Sequence, residues 1–372
     1  MRWCVILLAA CSFHAYDAID AAPGNVGHDS TVQPDVPAGS GWLSGYSFRK
    51  PITVTAGAVL DNFPVSVVEP FDASLASHAH GGADLAVTAA DGVTPLPLDI
   101  VTFVQTNGGL EAWVEMTVDV SPVTAFLYYG SGDTPARTSP WAAYAGVWHM
   151  NGTVGETDSS AHGNDLTAQA TLPAAAPGIV GAARAYNGST DALTTAAPAP
   201  SALAFGSGSF TYELWVNAQP TPTRNPSPLW TGGSENAEAG YDFQLGSNVW
   251  GAEVVDTDTS LQFVSLGQPG AFDGAWTQLA AVLDRSDESS EVMTTYANGA
   301  LATTASVTFG STTGSDAFQI GRVGNTTEFQ GAIDEVRVIG AVLPAAWFGA
   351  EYRNADPMTR ASFVMVGSEE TR

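Results

Sequence analysis

FQGAIDEVRVIGAVLP, residues Phe329–Pro344, alternates apolar and charged side chains from Ile333 to Ile339. A strand turns successive side chains to opposite faces, so the spacing predicts a strand over 333–339, opened by Gly331. On strict alternation Ile333, Glu335 and Arg337 share one face. Asp334 then falls on the other, beside Val336 and Val338. A carboxylate on the apolar side of a strand is costly unless a cation, an arginine or backbone N–H groups meet it. Asp334 is therefore the first candidate site residue.

Working outward, the flanking text keeps the same period. In Ser209–Ala218 (SFTYELWVNA) Phe210, Tyr212, Leu214 and Val216 line one face, and Thr211, Glu213, Trp215 and Asn217 the other. Trp276–Asp284 is apolar on both faces after Gln278, as an inner strand of a sandwich is. Val292–Tyr296, Asn298-Gly299 and Leu301–Thr304 read as a hairpin with the strongest short turn signal. Trp347–Asn354 reads as a short helix ended by Pro357, and Ala361–Val366 as a last strand. Upstream, Asp158-Ser159-Ser160 and His162-Gly163-Asn164-Asp165 form a compact loop, because Asp, Ser and Asn bond their own backbone in turns.

Several of these pieces resemble one family. Gly146–Met150 (GVWHM) resembles the first strand of LamG-like domains, and Asp158–Asn164 their Asp-Ser-Ser…Asn loop. Ala182–Gly188 (AARAYNG), the strand–NG–strand hairpin and the closing stretch Phe329–Pro344, to which Phe318–Arg322 leads, complete the likeness. The resemblance implies a concanavalin A-like/LamG jelly roll over residues 141–372. It also implies a structural Ca²⁺ where the first loop adjoins the closing strand. Six to eight oxygens suit that ion, and Asp158, Asn164 and Asp334 are the candidate metal ligands. The alternative is that Asp158 caps its own turn and Asp334 accepts backbone N–H bonds without any metal.

Residues 42–140 are expected to form a β-sandwich of their own. Strand candidates are Tyr46–Thr55, Phe63–Val68, Leu85–Ala89, Leu98–Phe103, Leu110–Val118 and Ala125–Tyr129, parted by turns at Asp91-Gly92 and Asn107-Gly108. Trp42, Tyr46, Phe48-Arg49-Lys50, Asn62–Val65, Gly82–Ile100 and Phe126–Gly130 resemble a bacterial domain of unknown function that commonly precedes LamG-like modules. That family lends no activity. The expected fold is thus all-β, two sandwiches in tandem, loosely joined through an exposed linker at Ser131–Gly146. His78 and His80 have no evident third ligand and read as a solvated loop.

Met1–Cys11 (MRWCVILLAAC) holds eight apolar residues from Trp3 to Ala10. That is too short to span a bilayer, which takes about 20, but fits the h-region of a signal peptide. Leu8-Ala9-Ala10-Cys11 resembles the lipobox of bacterial lipoproteins. It implies removal of residues 1–10, acylation of Cys11, and a lipid-anchored protein at the outer membrane or cell surface. An ordinary signal peptide is the alternative. Residues 11–41 are small, polar and rich in Pro and Gly, a disordered tether.

The charge balance bounds the partners. Twelve basic residues against 38 acidic give a net charge of −26, which excludes a general nucleic-acid binder and docking on anionic lipid by charge. Catalysis is not expected. Glycoside hydrolases of this fold carry alternating acids on one strand, whereas Glu253 and Asp256 fall on opposite faces, as do Asp334 and Glu335. No Gly-x-Ser-x-Gly elbow is present. Sugar binding would use exposed rings, for which Trp230, Tyr241 and Trp250 are the candidates, with core packing as their alternative role. The sequence points to a non-catalytic surface lipoprotein that binds an extracellular glycan or protein. A structural spacer without a ligand comes second, and a cryptic glycoside hydrolase third.

Overall fold

The computed structural model describes residues 41–219, 226–233, 238–246, 249–267, 273–287, 289–324 and 327–372. Cys11 and the tether lie outside the described residues. Two β-sandwiches follow, and all six strands expected in the first are present.

In the first sandwich, a three-stranded sheet runs in the order Leu60–Glu69, Gly109–Val118, Leu98–Val104. Its partner sheet runs Val364–Val366, Phe48–Val54, Val123–Tyr129, Ala86–Thr88, with Glu370–Thr371 also on Phe48–Val54. Alternation turns Ile52 and Val54, Val65 and Val67, Ala112 and Val114, and Ala125 and Leu127 into one core. A short helix, Ala73–His78, bridges the sheets at one end.

The second sandwich stacks two eight-stranded antiparallel sheets. The first has the order Ala174–Pro177, Ala182–Asn187, Gln330–Ile339, Phe210–Ala218, Thr277–Asp284, Val292–Ala297, Ala300–Ser306, and Tyr144–Trp148 also pairs with Gln330–Ile339. The second runs Leu261–Gly267, Val249–Val255, Gly240–Gly246, Leu229–Trp230, Gln319–Ile320, Leu193–Thr194, Leu166–Ala168, Gly155–Glu156. Phe210, Tyr212, Leu214 and Val216 face Tyr241, Phe243 and Leu245 across the core, as the period-two reading expects. Asn298 and Gly299 turn the hairpin at φ 49° and 74°, the left-handed pair that such a turn requires.

The structure departs from the sequence reading in two places that matter. Glu335 has φ 46°, and the pairing with Phe210–Ala218 slips there: Arg337 lies opposite Glu213, but Asp334 lies opposite Trp215. This is a β-bulge, in which one extra residue shifts the alternation. Ile333, Val336 and Val338 therefore all face the core, and Asp334, Glu335 and Arg337 all leave by the outer face. Asp334 is not on the Val336/Val338 side.

The second departure is the C-terminus, expected inside the jelly roll. Helix Ala345–Ala355 lays Trp347 on Phe63, ring centroids 4.9 Å apart, and Asn354 Oδ1 accepts from Ser66 N at 3.0 Å. Val364–Val366 then pairs with Ile52–Val54, completing the first sheet. The helix packs on the second sandwich too, with Phe348 4.2 Å from Tyr296 and Tyr352 5.4 Å from Trp215. Residues 364–366 and 370–371 are built into the sandwich that begins at residue 42. The linker is not loose either: Trp141 is fully buried, its ring 5.6 Å from Trp113 and its Nε1 2.8 Å from Asp99 Oδ2.

Candidate functional site

The outer face of the sheet that carries Gly240–Gly246 holds an unusual row. Cross-strand pairing sets Thr194 beside Gln319, Gln319 beside Trp230, Trp230 beside Asp242, Asp242 beside Glu253, and Glu253 beside Phe263. Their sequence neighbours Leu229, Tyr241, Phe243, Ala252 and Val254 point into the core, so the row points away from it. Gln244 shares the outer face, opposite Gly251. Phe263 lies across that glycine, where a Cβ would stand 1.9 Å from its ring.

The row is enclosed despite facing outward: Trp230 and Asp242 are 1% exposed, Glu253 2%, Gln244 5% and Gln319 6%. Trp230 Nε1, Gln244 Nε2 and Gln319 Oε1 have no hydrogen-bond partner among the described residues. Gly233 sits over the centre. A Cβ added there would lie 2.8 Å from Glu253 Oε1, 3.0 Å from Asp242 Oδ2 and 3.3 Å from Trp230 Nε1. Two carboxylates and an indole N–H therefore converge on one point, with aromatic rings at either end of the pair.

Of the three aromatic candidates only Trp230 belongs to this face. Tyr241 and Trp250 are corrected to core residues. Each occupies the strand position next to an outward one, and alternation sends it inward. Tyr241 packs 4.9 Å from Phe210 and donates its hydroxyl to Leu203 O at 3.1 Å. Asp242, Gln244, Glu253, Gln319 and Phe263 were missed because they are adjacent only across strands.

The candidate calcium ligands are engaged otherwise. Asp158 Oδ1 accepts from Val147 N at 3.0 Å and Ser160 N at 2.8 Å, and its Oδ2 from Ser160 Oγ at 2.7 Å and Asn164 N at 2.8 Å. Asn164 Nδ2 donates to Ala145 O. Asp334 Oδ2 accepts from Ile179 N at 2.8 Å and Val180 N at 3.0 Å, and Oδ1 from Glu335 N at 2.8 Å. Asp158 and Asn164 thus share one loop, whereas Asp334 shares no hydrogen-bond partner with them. Among the described residues no group of three or more His, Cys, Asp or Glu is placed to hold a metal ion. A carboxylate ringed by N–H and O–H donors offers a hard cation no open oxygen, so this set does not fit calcium.

The seam between the sandwiches holds a second ionic cluster, invisible in the sequence because its members are far apart in the chain. His149 is 2.8 Å from Glu335 Oε1 and 3.3 Å from Asp99 Oδ2. Arg337 bonds Glu335 at 2.7 Å, contacts Glu351, and lies 4.3 Å over Trp113 and 4.9 Å over Trp141. Burial, followed by the charge of Glu335, pushes Glu111 up to about 7. This cluster is enclosed except at Asp99, which is 24% exposed, and it joins the two halves.

Residues 187–347 match the family model of the concanavalin A-like lectin/glucanases superfamily. The outward row from Thr194 to Phe263 lies wholly inside that match. Similar solved structures include the binding domain of Paraclostridial Mosquitocidal Protein 1, at 10% identity and a TM-score of 0.48, covering 57% of this chain and 52% of that one. The botulinum neurotoxin serotype G binding domain is similar at 11% identity and a TM-score of 0.43, covering 56% of this chain and 50% of that one. The binding domain of botulinum neurotoxin DC, in complex with SialylT, is similar at 11% identity and a TM-score of 0.44, covering 58% and 52%. The likeness thus spans about half the length of those chains. No curated protein sequence matches the chain significantly.

Proposed function

We propose that the protein is a non-catalytic binding module of the cell exterior that recognises a glycan on the outward row of its lectin/glucanase-type sandwich. One observation carries this reading: Trp230 Nε1, Gln244 Nε2 and Gln319 Oε1 are buried on one face without partners among the described residues. Enclosed polar atoms are costly when unsatisfied. A polyhydroxylated ring supplies both donors and acceptors, and its apolar face stacks on Phe263, the ring of the row that is 36% exposed. Attachment through an acylated Cys11 belongs to the same proposal and would hold the module at the outer membrane or cell surface.

A second reading has its own observation. Asp242 and Glu253 lie directly opposite each other on neighbouring strands, the kind of close acid pair a glycoside hydrolase uses. The two acids are eleven residues apart in sequence and meet only through the pairing of Gly240–Gly246 with Val249–Val255. A glycan array with the full-length protein tests the first reading. Signal is expected for wild type and lost in Trp230→Ala. Release of reducing ends from a bound glycan would move the assignment to hydrolysis. A silent array with folded protein overturns both and leaves a structural spacer.

A further inference from the structure

The chain contains eleven arginines and one lysine, Lys50. That lysine is not at the surface. It lies on strand Phe48–Val54, on the same side as the core residues Ile52 and Val54, and is 7% exposed. Its Nζ is in direct contact with Oδ2 of Asp72, which is 9% exposed. Arginine serves better than lysine where a fixed ion pair is wanted, whereas a lysine amine is a nucleophile once it has passed its proton on. An enclosed ammonium–carboxylate pair is also held against a large desolvation penalty.

Asp72 is held in one pose. Its Oδ1 accepts from Ser74 N and Leu75 N, each at 2.9 Å, and its own N–H donates to Asn107 O at 2.9 Å. The backbone closes over it at Gly108, where a Cβ would stand 1.9 Å from Asp72 O. Oδ1 is thereby fixed by two N–H groups, and Oδ2 is the oxygen that meets the amine. Glu69, three residues earlier, is raised above the ordinary carboxylate range by burial and by Asp72, while Lys50 acts to lower it.

We propose that Lys50 Nζ and Asp72 Cγ become joined by an intramolecular amide bond, a self-made cross-link inside the first sandwich. The pair first shares its proton, giving a neutral amine and a carboxylic acid. The amine lone pair attacks Cγ, and the charge that develops on Oδ1 meets the N–H groups of Ser74 and Leu75, which are already in place. Oδ2 leaves as water, taking one of the two protons still on the amine, and the other stays on the amide nitrogen. One C–N bond forms, one C–O bond breaks, and one water is released. No oxidant, reductant or cofactor enters. The link closes the loop from Phe48–Val54 to the start of helix Ala73–His78 in a chain whose only cysteines are Cys4 and Cys11.

The wild-type full-length protein decides the matter by mass. Trypsin cuts after Arg49 and next after Arg137, because Lys50 precedes a proline, so one peptide holds both partners. It is expected to be lighter than its sequence by one water, and chymotryptic cleavage after Phe71 should leave its two parts joined. Because Lys50 is the sole lysine, an amine reagent applied to unfolded protein should find no lysine side chain to label. Lys50→Arg, which cannot form the amide, should restore the full mass. Asp72→Asn keeps the helix cap and should lose ammonia instead of water. A wild-type peptide of full sequence mass with a labelled Lys50 would overturn the cross-link.

Discussion

His149 Nδ1 stands 2.8 Å from Glu335 Oε1, with both side chains almost wholly enclosed. The contact exists because the bulge at Glu335 turns that carboxylate out of the jelly-roll core and toward the seam. Asp99 of the first sandwich takes the other imidazole nitrogen, so one ring ties three segments together. Burial alone would lower the affinity of His149 for its proton, but Glu335 and Asp99 outweigh it and push the ring from 6.5 up to about 10. The charged ring therefore stabilises the fold fully below about pH 6.5, and its contribution is lost as the pH climbs through 10. Glu111, raised from 4.5 to about 7 mainly by burial, acts in the same sense at lower pH, since its protonated form is the one the fold favours. The melting temperature is expected to fall between pH 6 and pH 10, at about 1.4 kcal/mol for each pKa unit in the limit of full coupling. His149→Gln should lower it at pH 6 and flatten the slope above pH 6.5. A mutant slope as steep as wild type would remove His149 from this role.

The C-terminal segment makes the two sandwiches interdependent. Residues 132–134 and 136–139 are exposed and open to proteolysis, yet Trp141 and Trp113 are buried beneath Arg337. A nicked chain should therefore run as one species on native size exclusion and separate only in denaturant. Deleting residues 345–372 removes Trp347 from Phe63 and Val364–Val366 from the edge of Phe48–Val54. Loss of burial on that scale exceeds what a small sandwich tolerates, and the first half is expected to bind a hydrophobic dye and aggregate. A truncated chain with an unchanged melting curve would show that the first sandwich stands alone.

These two results mark how far the sequence could be read. Strand positions were legible because period-two alternation and the Asn298-Gly299 turn are local signals. The face of Asp334 was not, because one left-handed residue at Glu335 reverses all that follows and nothing in the text flags it. Tyr241 and Trp250 take the core-packing alternative, which strand parity decides and aromatic type alone leaves open. The row from Trp230 to Phe263 depends on register between strands, which the alternation of a single strand leaves open. The return of Val364–Val366 to a strand begun at Phe48 spans nearly the whole chain, so no local pattern encodes it.

Asp334 provides a test of the metal expectation. Replacing it with Ala strips acceptors from Ile179 N, Val180 N and Glu335 N. Buried donors left unsatisfied cost about 1–3 kcal/mol each, partly offset by relief of the carboxyl, whose proton affinity burial and Glu335 hold high. A net loss of about 2–4 kcal/mol is expected from Asp334→Ala, and less from Asp334→Asn. Because the oxygens of Asp158 and Asp334 already face N–H and O–H donors, the wild-type melting temperature should be the same in EDTA and in millimolar calcium. A fall in EDTA that calcium reverses would return Asp158, Asn164 and Asp334 to a metal site.

Gly233 offers the sharpest test of the outward row, because it acts by space rather than charge. A methyl group there would lie within 2.8–3.3 Å of Glu253 Oε1, Asp242 Oδ2 and Trp230 Nε1, filling the point where they converge. Gly233→Ala is expected to abolish glycan binding, and to lower the melting temperature only as far as Glu253 and Asp242 must shift to clear the methyl. Asp242→Asn keeps the shape of the face and removes one charge. Under the binding reading it should weaken array signal by no more than about tenfold, the worth of one hydrogen bond of about 1.4 kcal/mol. Under the hydrolytic reading the same change removes one of the two acids and should eliminate product release while binding persists. Array signal and reducing-end release measured on wild type, Gly233→Ala and Asp242→Asn therefore separate the readings. Full glycan binding by folded Gly233→Ala would place the ligand elsewhere on the protein.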